Sequence, residues 1–293
     1  MGYILSLKGK RIRPVLTLLA YQAVTNQSPE SALNLASSVE LFHNFTLMHD
    51  DIMDRAPVRR GMPSVHVKWD EDIAILSGDA LFAFSMGLVV KDFPSKAGKL
   101  AGEFSKVAME VCEGQMEDMD LATKTNVSIE EYLEMIRKKT AALLGGCMSL
   151  GAIAGGASSS TVESFRNYGQ QLGLAFQLQD DLMDAFPPEG FGKQVGGDII
   201  ENKKTYLYLK ALELASSDDR KHLEELFVSN NLQEDQKVSE TLEIFQRLDI
   251  PKHTRNLINS YFEQAKTTSV KLAESTQFGA LQAYLKEIVD RQF

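Results

Sequence analysis

Cysteine is scarce in this chain, with only Cys112 and Cys147 among 293 residues. Two cysteines this far apart form neither the disulfide framework of a small secreted domain nor the paired spacing of a structural zinc site. The sequence also lacks the pattern of a secretory signal peptide. These features predict a reduced protein of the cytoplasm.

Strand-like alternation of polar and apolar residues between turn residues is also scarce, and helical periodicity dominates. No repeat of fixed period and no low-complexity linker divides the chain. The sequence therefore predicts an all-α protein with a single domain over residues 1–293. Residues 55–68 contain Pro57, Gly61 and Pro63 and are predicted to form a loop, and Phe84 in the next helix is a candidate core residue.

A lipid-spanning segment and a large positive charge are missing as well. The longest uncharged stretch, residues 141–160, is interrupted by glycines and is typical of a closely packed core helix. The net charge of −9 argues against a nucleic-acid partner. Short basic groups in an acidic chain suit a small anion such as a diphosphate, although each group alone is better explained as a solvated helix end. These groups are residues 8–13, 55–60, 137–139 and 203–204.

An acidic motif stands at the end of one apolar helical run. Residues 41–48 lead directly into Asp50, Asp51 and Asp54 with no turn residue between them. In a helix, Asp50 and Asp54 share one face and Asp51 flanks it. Like charges four residues apart destabilise a helix by about 0.2–0.5 kcal/mol, so their presence points to a bound cation. Mg²⁺ favours carboxylate oxygens and often shares them with substrate phosphates.

The same spacing recurs far downstream, where Asp180, Asp181 and Asp184 follow the apolar residues 172–178. One such motif alone is as typical of a solvated acidic helix end as of a metal site. Two copies, each closing an apolar helix and each followed by basic residues, indicate two acidic clusters. Together they are expected to hold several Mg²⁺ ions around one diphosphate.

These motifs resemble the two aspartate-rich motifs of the trans-isoprenyl diphosphate synthases, the polyprenyl synthetase family that includes farnesyl and geranylgeranyl diphosphate synthases. The resemblance covers nearly the whole chain and includes Arg59, Arg60 and Gly61 after the first motif. It implies a helix bundle of the isoprenoid-synthase type around a central apolar cavity, and a homodimer. It also implies a Mg²⁺-dependent condensation of isopentenyl diphosphate with an allylic diphosphate. Family members usually carry one more helix upstream, so an N-terminal helix is expected to be missing here.

The resemblance also implies roles for individual residues. The metal ions would be held by Asp50, Asp51, Asp54, Asp180, Asp181 and Asp184. The allylic diphosphate would be bound by Arg59, Lys139, Thr140, Gln177, Lys193 and Lys203, with Lys139 and Lys193 also acting in catalysis. Isopentenyl diphosphate would be bound by Gly9, Lys10, Arg13, His43 and Arg60. From the residues alone, His43 is more typical of a core histidine, and Lys139 of a lysine at the edge of a core.

Product length is expected to depend on the depth of the cavity beneath the first motif. Thr46 lies four residues before Asp50 on the same helix face, and Phe45 lies five residues before it. In the family, the matching residues form the floor of the cavity. An aromatic residue at the fifth position before the motif, with a small residue at the fourth, resembles the geranylgeranyl type. The resemblance predicts a C20 product, with a C15 or longer product as the alternative. An ordinary core residue is the other interpretation of Phe45.

Three other functions compete with this prediction. A class I terpene cyclase also ionises an allylic diphosphate with metal ions, but it does not need the basic set of Lys10, Arg13 and Arg60. A non-catalytic subunit of a heteromeric synthase is expected to lose one acidic motif, and this chain keeps both. A plain helical scaffold leaves the paired motifs unexplained.

Overall fold

Helices make up most of the described chain, which confirms the all-α prediction. The computed structural model describes residues 1–188, 195–228, 233–273, 276 and 278–290, with the backbone alone for residues 286–290. The elements are α1 (Gly2–Ser6), α2 (Ile12–Thr25), α3 (Leu33–Met53), β1 (Val58–Arg59), β2 (Met62–Pro63), α4 (Val65–Lys68), α5 (Glu71–Val89), α6 (Ala97–Thr123), α7 (Ile129–Ile136), α8 (Ala142–Gly155), α9 (Ser159–Ala185), α10 (Gly197–Ile200), α11 (Tyr206–Leu214), α12 (Ser217–Val228), α13 (Glu234–Arg247), α14 (Ile250–Ala273) and α15 (Gly279–Asp290).

The chain divides into two compact units. Unit 1 comprises Met1–Met109, Leu143–Gly169 and Thr267–Phe293. Unit 2 comprises Glu110–Ala142 and Gln170–Lys266. The first acidic motif belongs to unit 1 and the second to unit 2. A single domain over residues 1–293 stays a prediction.

Helix α3 of unit 1 carries the first acidic motif, and its two ends are fixed by local chemistry. Asp92 accepts hydrogen bonds from the backbone amides of Asn34 (2.9 Å) and Leu35 (3.1 Å), which lie in the first turn of α3. A carboxylate there satisfies amides that have no partner within the helix. The helix ends at Met53 with Asp54 as its C-terminal cap, and Arg55 follows with a φ of 51°. The acidic motif therefore occupies the last turn of α3 and the turn that leaves it.

Most of the uncharged stretch 141–160 forms helix α8 (Ala142–Gly155), in agreement with the predicted core helix. Cys147, Met148, Leu150 and Ala152, which point in different directions within two turns of α8, are fully buried. Burial on all sides is typical of a core helix rather than a surface helix. Burial also raises the pKa of the Cys147 thiol to about 12, so that thiol stays protonated and inert.

In unit 2, helix α7 passes into a π-helical turn, Arg137–Ala141, before α8 begins. Its start is fixed by a capping box in which Ser128 and Glu131 bond to each other's backbone amides. Gly114 of α6 lies against the π-turn so closely that a Cβ atom would come within 2.6 Å of the Lys139 Cα. Close approach of the two backbones therefore requires glycine at this position. A π-turn frequently marks a functional site, and this one carries Lys139.

Two expectations about residues 55–90 were wrong. The predicted loop over 55–68 contains the antiparallel hairpin β1–β2 and the short helix α4, because Arg60 and Gly61 form a two-residue turn that lets the strands pair. Phe84 is 61% exposed instead of buried. It belongs to α5. Among the described helices, α5 is the one that is long and apolar enough to cross a membrane, and 33% of its most apolar 18-residue stretch is buried. Apolar periodicity alone does not tell which face of such a helix is covered.

Candidate active site

The hairpin after the first acidic motif sends two consecutive arginines in different directions. Arg59 lies in strand β1, opposite Met62. Arg60 and Gly61 form the turn, with φ values of 55° and 76°, as a type I′ turn requires. A non-glycine residue held in this conformation is often found at a functional site. The backbone of the turn therefore separates two cationic side chains that are adjacent in sequence.

Arg59 contacts the middle aspartate of the first motif. Its Nε donates a hydrogen bond of 2.8 Å to Asp51 Oδ1, and its Nη2 donates to the same oxygen. Asp51 is 1% exposed, and its Oδ2 has no partner within the described residues. Burial raises the pKa of Asp51, and the bond from Arg59 opposes that rise. Asp54, in contrast, is exposed and Asp50 is half-buried.

Arg60 points to the basic loop before α2. Its guanidinium covers Gly9, where a Cβ atom would lie 2.9 Å from Nη1 and 3.0 Å from Cζ. Lys10 is exposed beside Gly9, and Arg13 Nη1 lies 3.1 Å from His43 Nε2. The structure thus brings together residues of the predicted isopentenyl diphosphate site from three segments that are separate in sequence.

The electrostatics of this basic group favour an anion. His43 lies in the electrostatic field of four cationic side chains, those of Arg13, Arg60, Arg59 and Arg11. Burial, and then these four charges, hold the pKa of His43 well below its usual range. A neutral His43 accepts the hydrogen bond from Arg13 through the ring nitrogen that carries no proton. Burial and the charge of Arg11 also lower the pKa of Arg60.

Arg11 was not singled out from the sequence, yet it holds the basic loop in shape. Its backbone is left-handed, with a φ of 49°. Its side chain forms an ion pair with Glu40 of α3 and donates to the carbonyl oxygens of Leu5 (2.7 Å) and Leu7 (3.0 Å). The only sequence signal was its place in a basic cluster, where ligand-binding and structural arginines look alike.

Phe45 and Thr46, the predicted floor residues, lie inside unit 1. The Phe45 ring centroid is 5.3 Å from that of Phe82 on α5 and 5.6 Å from that of Phe42. Thr46 donates through Oγ1 to the His43 carbonyl oxygen at 2.8 Å. Phe45 is therefore part of an aromatic cluster between α3 and α5, which is compatible with a floor and with an ordinary core residue.

The second acidic motif contains a buried carboxylate held by two donors. The Tyr132 hydroxyl donates to Asp181 Oδ2, and Gln177 Nε2 donates to Oδ1 at 3.0 Å. Thr140 Oγ1 in turn donates to Gln177 Oε1 at 2.9 Å. Burial raises the pKa of Asp181 to about 7; Asp198 adds to the rise, and the bonds from Tyr132 and Gln177 oppose it. Tyr132 had no signal in the sequence beyond its place on an amphipathic helix.

The other two aspartates of the second motif have different surroundings. Asp184 accepts hydrogen bonds from the backbone amides of Gly197 (3.2 Å) and Asp198 (3.0 Å). It thereby ties the end of α9 to the first turn of α10. Asp180 is exposed. The motif thus combines an accessible carboxylate, a buried one and one that anchors the following segment.

A cavity of about 350 Å³ in unit 2 brings most of the predicted allylic-site residues together. Lys139 extends into it and forms an ion pair with Asp118. Lys203 forms ion pairs with Glu201 (2.8 Å) and Asp198 (3.4 Å). The lining is completed by polar and apolar side chains that include Tyr132, Met135, Ile136, Thr140, Gln177 and Asp181. Lys193 lies outside the described residues.

The donor chemistry of both motifs fits Mg²⁺, because the groups at each helix end are carboxylates. The buried Asp51 Oδ2 without a partner is a further sign of a missing cation or donor. Within the described residues, no three acidic, histidine or cysteine side chains form a ready-made metal site. A cation held here would therefore need ligands in addition to these carboxylates.

An all-α chain with two acidic helix ends, each beside cationic side chains, defines a class of helical enzymes that handle diphosphates. A model of the polyprenyl synthetase family matches residues 1–245. The short chain isoprenyl diphosphate synthase of Methanothermobacter thermautotrophicus is 39% identical over 292 residues, which cover 99% of this chain and 89% of that protein. The chain belongs to the polyprenyl synthetase family, and it is a prenyltransferase.

Two further comparisons agree with this assignment. The geranylgeranyl diphosphate synthase of Methanosarcina mazei is 42% identical over 269 residues, which cover 90% of this chain and 80% of that protein. A crystal structure of a geranylgeranyl pyrophosphate synthase superimposes with a TM-score of 0.87 at 45% identity, covering 91% of this chain and 83% of that one. The similarity therefore extends over fold and sequence together.

Proposed function

We propose that this enzyme condenses isopentenyl diphosphate with an allylic diphosphate (dimethylallyl, geranyl or farnesyl) and releases geranylgeranyl diphosphate. The alternative products are farnesyl diphosphate and a longer polyprenyl diphosphate. Two observations support the C20 product. Phe45 is followed by the smaller Thr46 before the first motif, and relatives of the chain are named for that product. The proposal requires two distinct diphosphate sites with different chemistry.

One site binds the allylic diphosphate through cations and carboxylates. Lys139, Lys203 and Thr140 line the cavity of unit 2 and carry donors for phosphate oxygens. Gln177 is the link between Thr140 and Asp181. Arg59 and Lys193 complete the proposed set. Lys139 and Lys203 are paired with acids in the structure, and a diphosphate would replace those acids as their partner.

The six aspartates are the proposed ligands of Mg²⁺, and their surroundings divide them. The half-buried or exposed Asp50, Asp54 and Asp180 are suited to direct coordination. Asp51 and Asp181 are buried and accept hydrogen bonds that fix their orientation, and Asp51 Oδ2, which has no partner within the described residues, is the oxygen that would face a cation. When bound, Mg²⁺ would neutralise the charge that develops on the departing diphosphate.

The second site is the observation that carries the proposal. The group of Gly9, Lys10, Arg13, His43 and Arg60 is cationic, and Glu40, whose charge acts on Arg60, is already paired with Arg11. A diphosphate bound there needs no metal and keeps its ester bond. A condensing enzyme needs such a site for isopentenyl diphosphate, whereas a cyclase does not.

The reaction follows from these two sites. The C1–O bond of the allylic substrate breaks, and its electron pair leaves with the diphosphate. The double bond of isopentenyl diphosphate attacks the allylic cation and forms a carbon–carbon bond. A proton is then lost from the adjacent carbon, and the released diphosphate is the proposed acceptor. Apolar side chains such as Met135 and Ile136 exclude the water that would quench the cation.

A homodimer in the cytoplasm is the proposed state of the protein. Its support is the apolar face of α5, where Ile73, Leu76 and Phe84 are 44%, 65% and 61% exposed. Such a face on one helix is typical of an interface with another chain. The test compares the sedimentation of the Leu76→Glu variant with that of Asp72→Asn. Asp72→Asn is the control, because Asp72 is an exposed residue at the start of the same helix. A dimer that survives Leu76→Glu unchanged contradicts the assignment of this face.

The decisive assay uses purified protein, Mg²⁺, labelled isopentenyl diphosphate and each allylic diphosphate, with products sized by chromatography. Chain extension that chelation of Mg²⁺ abolishes and added Mg²⁺ restores is the expected result. Asp180→Asn should abolish extension, and Asp72→Asn should leave it intact. A cyclised hydrocarbon product would indicate a cyclase, and the absence of any product would indicate a non-catalytic subunit or a scaffold.

A further inference from the structure

Lys237, in the first turns of α13, is buried although no sequence motif marks it. The residue is 5% exposed, and a lysine is seldom buried this far unless an acid pairs with it. Among the described residues, no carboxylate lies within ion-pair distance of its ammonium group. Burial lowers the pKa of Lys237, with the charge of Glu234 opposing the change. A buried ammonium held by neutral groups costs stability, so the contacts that retain it are informative.

Those contacts converge on the segment after α10. The Lys237 ammonium donates to the side-chain oxygen of Asn202 and to the carbonyl oxygen of Ile200 at 3.3 Å. It also lies 5.3 Å from the centroid of the Phe227 ring, a cation–π distance. Asn202 has a φ of 58°, the left-handed conformation that is costly for a residue with a side chain. Lys237 therefore holds the residue where the backbone reverses.

A second lysine holds the other end of the same segment. Lys204 Nζ donates to the carbonyl oxygens of Leu121 (3.0 Å), Ala122 (3.0 Å) and Lys124 (2.7 Å). These carbonyls lie at the C-terminal end of α6, where a cation is favoured. Lys203 stands between the two held residues, and its backbone amide donates to the Asp198 carbonyl oxygen at 2.8 Å.

We infer that Lys237 is a positioning residue for the segment 201–204, fixing Asn202 so that the Lys203 ammonium faces the cavity and binds the allylic diphosphate. Lys237 itself does not line the cavity, whereas Asn202 and Lys203 do. The inference rests on the proposed function for the identity of the ligand, but the clamp on the segment is independent of it.

The test compares Lys237→Met with wild-type protein and with Lys221→Met, which removes the same charge from an exposed helix position. Methionine fills a similar volume and relieves the buried charge, so the melting temperature should not fall. The KM for the allylic diphosphate should rise about tenfold, in the range seen when supporting residues are removed, while the KM for isopentenyl diphosphate stays within twofold. Lys221→Met should match wild type in all three measurements.

A second variant and a second measurement test the contact between Lys237 and Asn202 directly. Asn202→Gly preserves the left-handed backbone and removes the side-chain oxygen that accepts from Lys237. Because both substitutions remove the same contact, the double variant should raise the KM for the allylic diphosphate no more than either substitution alone. Hydrogen exchange of the amides of residues 201–204 should accelerate in Lys237→Met, with or without substrate. Unchanged exchange, or an equal rise of both KM values, overturns the inference. Wild-type protein that extends no allylic substrate refutes the proposed function, and the exchange measurement still decides the clamp.

Discussion

Replacing Tyr132 by phenylalanine isolates one hydrogen bond at the second acidic motif. The substitution keeps the ring and removes the hydroxyl that donates to Asp181 Oδ2. Tyr132 is 4% exposed and Asp181 is 5% exposed, so water has little access to replace the lost donor. Among the described residues, Asp181 would then keep only the bond from Gln177 Nε2. We expect the carboxylate to turn in its site and the arrangement of the neighbouring Asp180 to loosen.

The magnitude follows from the kind of bond that is lost. A hydrogen bond to a charged group contributes about 1.5–3 kcal/mol, and leaving a buried acceptor without a partner costs a similar amount. If that loss is felt in the transition state, kcat/KM for the allylic diphosphate falls about 10- to 100-fold at 1.4 kcal/mol per tenfold change. The assay is steady-state chain extension at saturating isopentenyl diphosphate, repeated over a series of Mg²⁺ concentrations, with denaturant unfolding in parallel.

The matched control is Tyr168→Phe. Tyr168 is also buried, at 5% exposed, and within the described residues its hydroxyl makes no hydrogen bond; its ring contacts Phe278 edge-on. This variant should retain wild-type kinetics. A folded Tyr132→Phe enzyme with wild-type kcat/KM and Mg²⁺ dependence would refute the view that Tyr132 orients Asp181.

Three further predictions test other parts of the site. Gly9→Ala should raise the KM for isopentenyl diphosphate about tenfold, because the new Cβ displaces the Arg60 guanidinium. Small misplacements of a binding group can reduce activity by up to about 100-fold. The control is Gly98→Ala, where the new Cβ meets nothing within 4 Å. Phe45→Ala should lengthen the product seen by chromatography, and an unchanged product distribution would reject Phe45 as the floor. His43 has a lowered pKa in the folded state, so the unfolded chain binds the extra proton below a pH of about 6.5. The contribution of His43 to the free energy of unfolding is therefore complete above that pH and declines as the pH falls. In denaturant unfolding measured over a pH series, His43→Gln should reduce the loss of stability below this pH. An acid profile identical to that of the wild type would contradict the prediction.

Helical architecture and both acidic helix ends were predictable because they depend on local spacing. Asp50 and Asp54 share a face by helical geometry alone, whatever lies beside them. The grouping of Lys139, Thr140 and Gln177 with Asp181 came from the resemblance to the family, and the structure brings those four side chains to one cavity.

The predicted loop after the first motif shows where local reasoning ends. Pro57 and Pro63 argue against helix, but strand pairing across Arg60 and Gly61 depends on a turn conformation that the spacing does not reveal. The exposed Phe84 is a similar case, since apolar periodicity marks a face without naming what covers it. The first error concerns secondary structure and the second the environment of a side chain, and both features depend on contacts that local spacing does not reveal.

The sequence by itself determined the all-α class, the two carboxylate motifs and the basic groups, because each is a matter of residue type and short-range spacing. Only the tertiary structure decided that Asp51 and Asp181 are buried and bonded while Asp54 and Asp180 are exposed. It also decided that Tyr132 and Lys237, which no motif marks, hold parts of the site. The physical reason is that burial and hydrogen-bond partners depend on side chains brought from distant parts of the chain.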